Sequence, residues 1–405
     1  MAPPPPPPSA STSRAWVWSA RGEASSVLSL ASLPAPTLPP PLPLPRDAPQ
    51  PEEWILVRVA FAGLNVGSLW QMTLVPAFLR KDPCTAEMDL SGEVVDVWHP
   101  DGDSSSRTNA QSQETRRRRF KRGDGAVAML PASHALATGT GALAELVAIP
   151  ARYAVPKPEG VSYADAAGYL LTGMTAAKMV DESGVAAGHR VLVVAASGGI
   201  GTMVVQMVRR VVGDEGYIVG VCSGKNAELV RSLGADEIVD YTQHGDVNNL
   251  AAHLATRFSG APPFFDTVID TLGFQALYLA SPAYLAPGGN YSSVGIKPPG
   301  FSVAHFLRAV WTMKLNEWWP TSRWLLGAGR AWRGVSMMSP TLADRERVVG
   351  MLARGEVRVV RDGDGGGGRA WAYEDAREAY AHLAKGHARG KVLVRVNPEV
   401  GDDEC

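Results

Sequence analysis

Strand-like apolar stretches open the chain. Arg14–Trp18 and Val27–Leu33 have strand content, and a proline-rich connection from Pro34 to Pro51 follows them. Trp54–Phe61 (WILVRVAF) and Leu90–Val97 then read as strong strands, and Gly141–Val155 is strand-like again before stopping at Pro156-Lys157-Pro158. From Tyr163 onward the periodicity changes. Ala164–Ser183 is helical in composition, Arg190–Ala195 is a buried strand and Ile200–Val212 a helix. Tyr217–Cys222, Glu237–Tyr241, Phe265–Thr271 and Asn290–Gly295 follow as strands, separated by helices at Asn226–Leu233, Val247–Phe258 and Phe274–Leu285. Such alternation predicts an α/β fold with a parallel sheet covered by helices on both faces. The C-terminal tract is mixed: a strand at Val357–Val360, a helix at Glu374–Ala384 and a strand at Lys391–Val396. No internal repeat is visible.

The length of 405 residues corresponds to two or three domains at about 150 residues each. Hydrophobic residues at 45% and charged residues at 20% suffice for a buried core. With 39 basic against 40 acidic residues there is no general attraction to nucleic acid, whose affinity rests on phosphate neutralisation. The three cysteines, Cys84, Cys222 and Cys405, argue against a disulfide framework and are too few for a four-cysteine zinc lobe. The proline run Pro3–Pro8 lacks the charged and apolar regions of a secretory signal, so residues 1–13 read as a disordered proline-rich tail. The uncharged stretch Val191–Val208 contains Ser197, Gly198, Gly199, Gly201, Thr202 and Gln206, and reads as strand, turn and helix rather than a membrane span. A cytoplasmic protein is expected. Residues 101–122, with Arg116–Arg119 in a row, read as a polar surface insertion, or alternatively as a basic recognition patch.

The chemistry begins at Arg190–Gly201, RVLVVAASGGIG. An apolar strand enters a glycine turn and a helix leaves it. Gly198 lets the backbone approach a pyrophosphate, Gly201 lets the helix pack close to the strand, and the helix N-terminus offers N–H groups and a positive dipole end. Ala196 stands where the usual G-x-G-x-x-G has its first glycine. The strand before it, the helix after it and the downstream alternation make Ser197, Gly198, Gly199, Ile200 and Gly201 the candidate dinucleotide-binding turn. An NAD site places a carboxylate at the end of the second strand, but no acidic residue lies between Glu215 and Glu228. Ser223 and Lys225 offer a hydroxyl and a cation there, which suits a 2′-phosphate, so NADPH is the expected cofactor. The alternative is a solvated loop with an incidental lysine.

Several further segments carry a resemblance: GLN at Gly63–Asn65, GALAELVAIP at Gly141–Pro150, LLTGMTA at Leu170–Ala176, AASGGIG at Ala195–Gly201, RSLGADEIVDY at Arg231–Tyr241, VIDTLG at Val268–Gly273 and HARGKVLVRV at His387–Val396. In this order the chain resembles the medium-chain dehydrogenase/reductase superfamily, in its zinc-free quinone oxidoreductase and enoyl reductase branch. The resemblance implies a GroES-like, mostly β catalytic domain formed by both chain ends around a central Rossmann domain. The corresponding boundaries are 14–158 for the first catalytic part, 159–297 for the Rossmann domain and 298–405 for the return to the catalytic domain. It also implies Asn65 near the nicotinamide and substrate carbonyl, Thr175 near the carboxamide, Ser223, Lys225 and Tyr241 around the 2′-phosphate, and Gly273 and Lys391 at the cofactor. Bland alternatives are a turn residue at 65, a helix residue at 175 and a strand-end packer at 241.

Three departures stand out. The cysteine and Gly-His-Glu segment of the zinc alcohol dehydrogenases are missing, so no metal site is expected. Where relatives carry Pro-Gly before the family's aspartate, this chain has Ala86-Glu87-Met88-Asp89, and the Gly123-Asp124 turn lacks its usual following residues.

Without a Lewis-acid metal the acceptor must already be activated: a quinone or an α,β-unsaturated carbonyl, with Asn65 orienting the carbonyl. A trans-acting enoyl reductase of a biosynthetic assembly line and a non-catalytic NADPH-binding scaffold are the alternatives. Residues 301–338 carry Trp311, Trp318, Trp319, Trp324 and Trp332, and Leu307, Trp311, Leu315 and Trp318 share one helical face. Core or homodimer packing, a lid over an apolar pocket, and peripheral membrane contact all suit that face.

Overall fold

The computed structural model describes residues 11–39, 52–100, 119–260, 264–298, 300, 302–319, 328–335, 340–362 and 368–405. Most of the N-terminal proline tail, most of the proline-rich connection, the insertion with Arg116–Arg118, and Trp324 lie outside them. The chain forms two compact units: residues 1–167, 371–381 and 393–405 make one, and residues 168–370 and 382–392 the other.

The first unit is mostly β. Its strands are β1 Thr12–Trp18, β2 Leu28–Pro34, β3 Trp54–Gly63, β4 Cys84–Thr85, β5 Asp89–Trp98, β6 Gly125–Met129, β7 Leu146–Pro150 and β8 Ala154–Pro156. β1 pairs antiparallel with β2 along its whole length, Trp16 facing Leu30, and with β4 at its end. β3 is the hub. It pairs antiparallel with β5, with β7 over Trp54–Arg58, and with residues 393–395 over Phe61–Gly63. β3 contacts neighbours on every side, and Arg58 is its one exposed side chain, which is why its sequence is a nearly unbroken apolar run. Short helices at Val66–Leu74 and Ala132–Thr138 were not legible in the sequence; the first contains Gly67 and the β-branched Val66 and Thr73, weak helix formers.

The second unit holds the parallel sheet. Its strands are β9 Arg190–Val194, β10 Tyr217–Cys222, β11 Glu237–Asp240, β12 Phe265–Asp270, β13 Leu285–Ser293 and β14 Ala331–Gly334, in the spatial order β11-β10-β9-β12-β13-β14. All neighbours run parallel. Strand order reverses between β9 and β12, and a crevice at such a switch point is where doubly wound sheets bind ligands. Leu192, Val194, Val219, Val221 and Val268 pack with Leu250, Leu254 and Leu277 of the covering helices in one core.

Three expectations are corrected. Val357–Val360 is not a strand; the pairing falls one step later, Arg361 against Lys391 and Asp362 against Val392. Residues 298–370 group with the parallel sheet and not with the chain ends. β14 pairs with Asn290–Ser293, and Trp332 is buried in the sheet's core. A four-residue strand (AWRG) inside a tryptophan-rich stretch leaves no period to read. Core packing of the Leu307 face is also excluded. In the helix Val303–Trp318, Leu307 and Trp311 are each 61% exposed and Trp318 71%. The opposite face turns inward instead: Ala309 and Asn316 are buried, and Met313 packs against the core. Asn316 exchanges hydrogen bonds with Gln275 at 2.8 and 3.2 Å. Periodicity marks an apolar face without saying what covers it. Among the described residues no helix is long and apolar enough to cross a membrane.

Candidate active site

At the C-terminal end of β9 the chain turns through Ala195, at φ 56°, into Gly198, which caps the helix Gly199–Val212. A β-carbon on Gly201 would lie 2.1 Å from the Ala195 carbonyl oxygen, so only glycine lets this helix seat on its strand. At Gly198 an added carbon meets nothing nearer than 3.4 Å, and that side of the turn is open. The N-terminal N–H groups and positive dipole end of the helix lie at this open side of the turn. Ala196, in place of the first glycine, is fully buried and donates its N–H to Val221 O at 2.9 Å on β10.

Lys391 comes to the same turn. Gly390 donates its N–H to Ser197 O at 2.9 Å, and the Lys391 stem crosses Gly199, whose added β-carbon would stand 3.2 Å from Cδ. After β12, Thr271 donates from Oγ1 to Val194 O at 2.9 Å, joining the two strands that flank the switch point. Gly273, at φ 80°, could not carry a side chain, because Gly295 O would be 2.2 Å from its β-carbon. The loop is fixed by Asp270, a fully buried carboxylate that accepts from the N–H groups of Leu272, Gly273 and Phe274 at 2.7–2.9 Å and from the Tyr291 hydroxyl at 2.8 Å. Burial and the Asp270 charge hold the Tyr291 phenol well above its ordinary value, so it stays a donor.

At the end of β10, Ser223 is buried and Lys225 exposed. Asn226 donates from Nδ2 to Ser197 Oγ at 3.0 Å, linking this loop to the glycine turn. The Tyr241 hydroxyl lies 3.5 Å from His387 Nδ1. Asp240 pairs with Cys222 in register and brings a carboxylate beside Gly224, where linear spacing had shown none. Its oxygens are engaged by Thr242 N at 3.0 Å, Thr242 Oγ1 at 2.7 Å and Gln243 Nε2 at 3.3 Å, and the Thr242 bonds hold its pKa below the ordinary value. Thr175 is engaged within its own helix, donating to Leu171 O at 2.8 Å.

Asn65 belongs to the other unit, at the end of β3. Its Nδ2 donates to Gly63 O at 2.8 Å and lies 3.2 Å from both Glu87 Oε2 and Asp89 Oδ2. Its backbone N–H donates to Glu87 Oε1 at 3.0 Å, and the Tyr380 hydroxyl donates to the same oxygen at 2.7 Å. Glu87, Asp89 and Tyr380 are all buried. Burial and the Glu87 charge push the Tyr380 phenol far up, so it remains protonated. Asp270, Asn226, Glu87 and Tyr380 were missed from sequence. Glu87 left a signal as part of a departure from the family pattern, and Asp270 as an aspartate at the end of an apolar strand just before a turn glycine.

A glycine turn at the switch point of a parallel sheet is the arrangement of dinucleotide-binding folds. The family described as zinc-binding dehydrogenase matches residues 233–394. The medium chain reductase pydE of Acremonium sp is 31% identical over 362 residues, spanning 85% of this chain and 90% of that protein. The trans-enoyl reductase poxH of Penicillium oxalicum is 31% identical over 280 residues, 64% of this chain and 69% of that protein. Among solved structures, the quinone oxidoreductase from Coxiella burnetii has the same fold, with a TM-score of 0.67 at 20% identity, covering 96% of this chain and 100% of that one. The chain belongs to the medium-chain dehydrogenase/reductase superfamily, whose reductases use nicotinamide cofactors.

Zinc, part of that family description, finds no fit. Among the described residues no group of three or more His, Cys, Asp or Glu side chains could hold a metal ion. Cys84 is buried with its sulfur 3.8 Å from the carbonyl oxygens of Thr85 and Ala135, and burial pushes its thiol up to about 11.

Proposed function

We propose that the protein is an NADPH-dependent reductase of activated double bonds, with a quinone or an α,β-unsaturated carbonyl as acceptor. The observation that carries this is the open glycine turn at the switch point, closed from the side by Lys391 and tied to the Ser223 loop through Asn226. Ser197–Gly201 would hold the pyrophosphate through backbone N–H groups, and Lys391 and Gly273 would line the cofactor. Thr175 would sit near the carboxamide. Ser223, Lys225 and Tyr241 would meet the 2′-phosphate, with the Lys225 cation offsetting the nearby Asp240 carboxylate, whose oxygens are turned to Thr242 and Gln243. When bound, the cofactor supplies a hydride, which an electrophilic carbon conjugated to a carbonyl can accept without a Lewis acid. Asn65 would help position the acceptor, and to donate to its carbonyl the Nδ2 would have to release one of its present acceptors, Gly63 O, Glu87 Oε2 or Asp89 Oδ2. Titrating the purified protein with NADPH, then following its oxidation against quinones, enones and enoyl thioesters, tests this. No affinity for NADPH, or no turnover with any acceptor, rejects it.

A trans-acting enoyl reductase is the second reading, favoured by the similarity to poxH. It requires turnover of carrier-bound enoyl thioesters well above that of free quinones. For the exposed Leu307–Trp318 face we propose a second copy of the chain as partner, because it flanks β14, which ends the parallel sheet. A monomer in sedimentation that binds lipid vesicles would point to a membrane surface instead.

A further inference from the structure

This inference rests on the role proposed for Asn65. That residue occupies the N-cap of the helix Val66–Leu74, where an asparagine side chain ordinarily accepts from the first helical N–H groups, yet it makes no such bond. The amide is drawn the other way, to Glu87, Asp89 and Gly63. Glu87 is itself unusual. Its φ of 70° lies in the left-handed region, which a residue bearing a β-carbon avoids. Strained backbone persists where surrounding bonds over-determine it, and here they do. Oε1 accepts from Asn65 N and the Tyr380 hydroxyl, and Oε2 from Asn65 Nδ2 and, at 3.3 Å, from Met88 N. One carboxylate thus holds both the main chain and the side chain of Asn65, and Tyr380 fixes the carboxylate.

We propose that Glu87 is the positioning residue for the Asn65 amide, steadied by Tyr380, and that it acts on turnover only through Asn65. A glycine there would relieve the backbone but leave the amide unanchored. A glutamine keeps the shape but must point an NH2 group at one pair of donors.

The test is a double-mutant cycle on NADPH oxidation with the best acceptor found for the wild type. Glu87→Gln is expected to lower kcat about tenfold while the KM for NADPH stays within about twofold, and Tyr380→Phe to lower kcat by about threefold. In an Asn65→Ala background Glu87→Gln is expected to cost nothing further. Additive losses in the double variant, or unchanged kcat in Glu87→Gln, overturn the proposal while leaving the reductase reading intact. A wild type inactive on every acceptor overturns both. Should Glu87→Gln not fold, Tyr380→Phe with and without Asn65→Ala gives the same comparison.

Discussion

The stem of Lys391 lies across Gly199, so close that a β-carbon at 199 would stand 3.2 Å from its Cδ. The last described strand thereby meets the first residue of the helix that leaves the glycine turn. Lys391→Ala should weaken NADPH binding by about tenfold in a fluorescence titration, through loss of its ammonium from the cofactor. Gly199→Ala should weaken it less, since a flexible stem can shift aside. Unchanged affinity in both variants would remove Lys391 from the site.

Lys225→Ala should raise the Kd for NADPH by about tenfold and leave NADH within about twofold, because only the former carries the 2′-phosphate. Equal effects on both cofactors would mean that no phosphate sits beside Ser223.

Asn65→Ala should lower turnover by about a hundredfold while NADPH still binds. A protein that binds NADPH but shows no turnover even as wild type would instead be the scaffold.

Gly201→Ala should cost about 2 kcal/mol or more of stability, since the added carbon would strike the Ala195 carbonyl and force the helix off its strand. The readout is a lowered unfolding midpoint. Ala195→Gly, which relieves a positive φ, should raise it slightly.

Burial pushes the thiols of Cys84 and Cys222 up to about 11. At pH 8 only about one in a thousand of either is thiolate, and neither faces solvent. Alkylation of the native protein should therefore label Cys405, and the other two only after unfolding.

Much of the parallel unit was legible because its central strands are mostly buried and its helices amphipathic; Tyr217–Cys222 was placed to the residue. The glycine turn was legible because its residues are contiguous. Glu87 and Tyr380 were not, because they are 293 positions apart and meet only once the chain end has returned. Asp240 escaped too, since its place beside Gly224 depends on the β10–β11 register. The Leu307 face was correctly seen as apolar, but burial is decided by the opposite face, where Ala309 and Asn316 dock.

Ala196 stands in the slot of a glycine, and the room it needs comes from Gly220 on the neighbouring strand, where a β-carbon would lie 3.2 Å from that of Ala196. Smallness here is a property of the pair. Enlarging either member should be harmful, while exchanging them, glycine at 196 with alanine at 220, trades one methyl for another and relieves the contact between them, leaving Val230 as the remaining obstacle. Fingerprints written along a single strand and its turn overlook such trades, which show only when adjacent strands are compared.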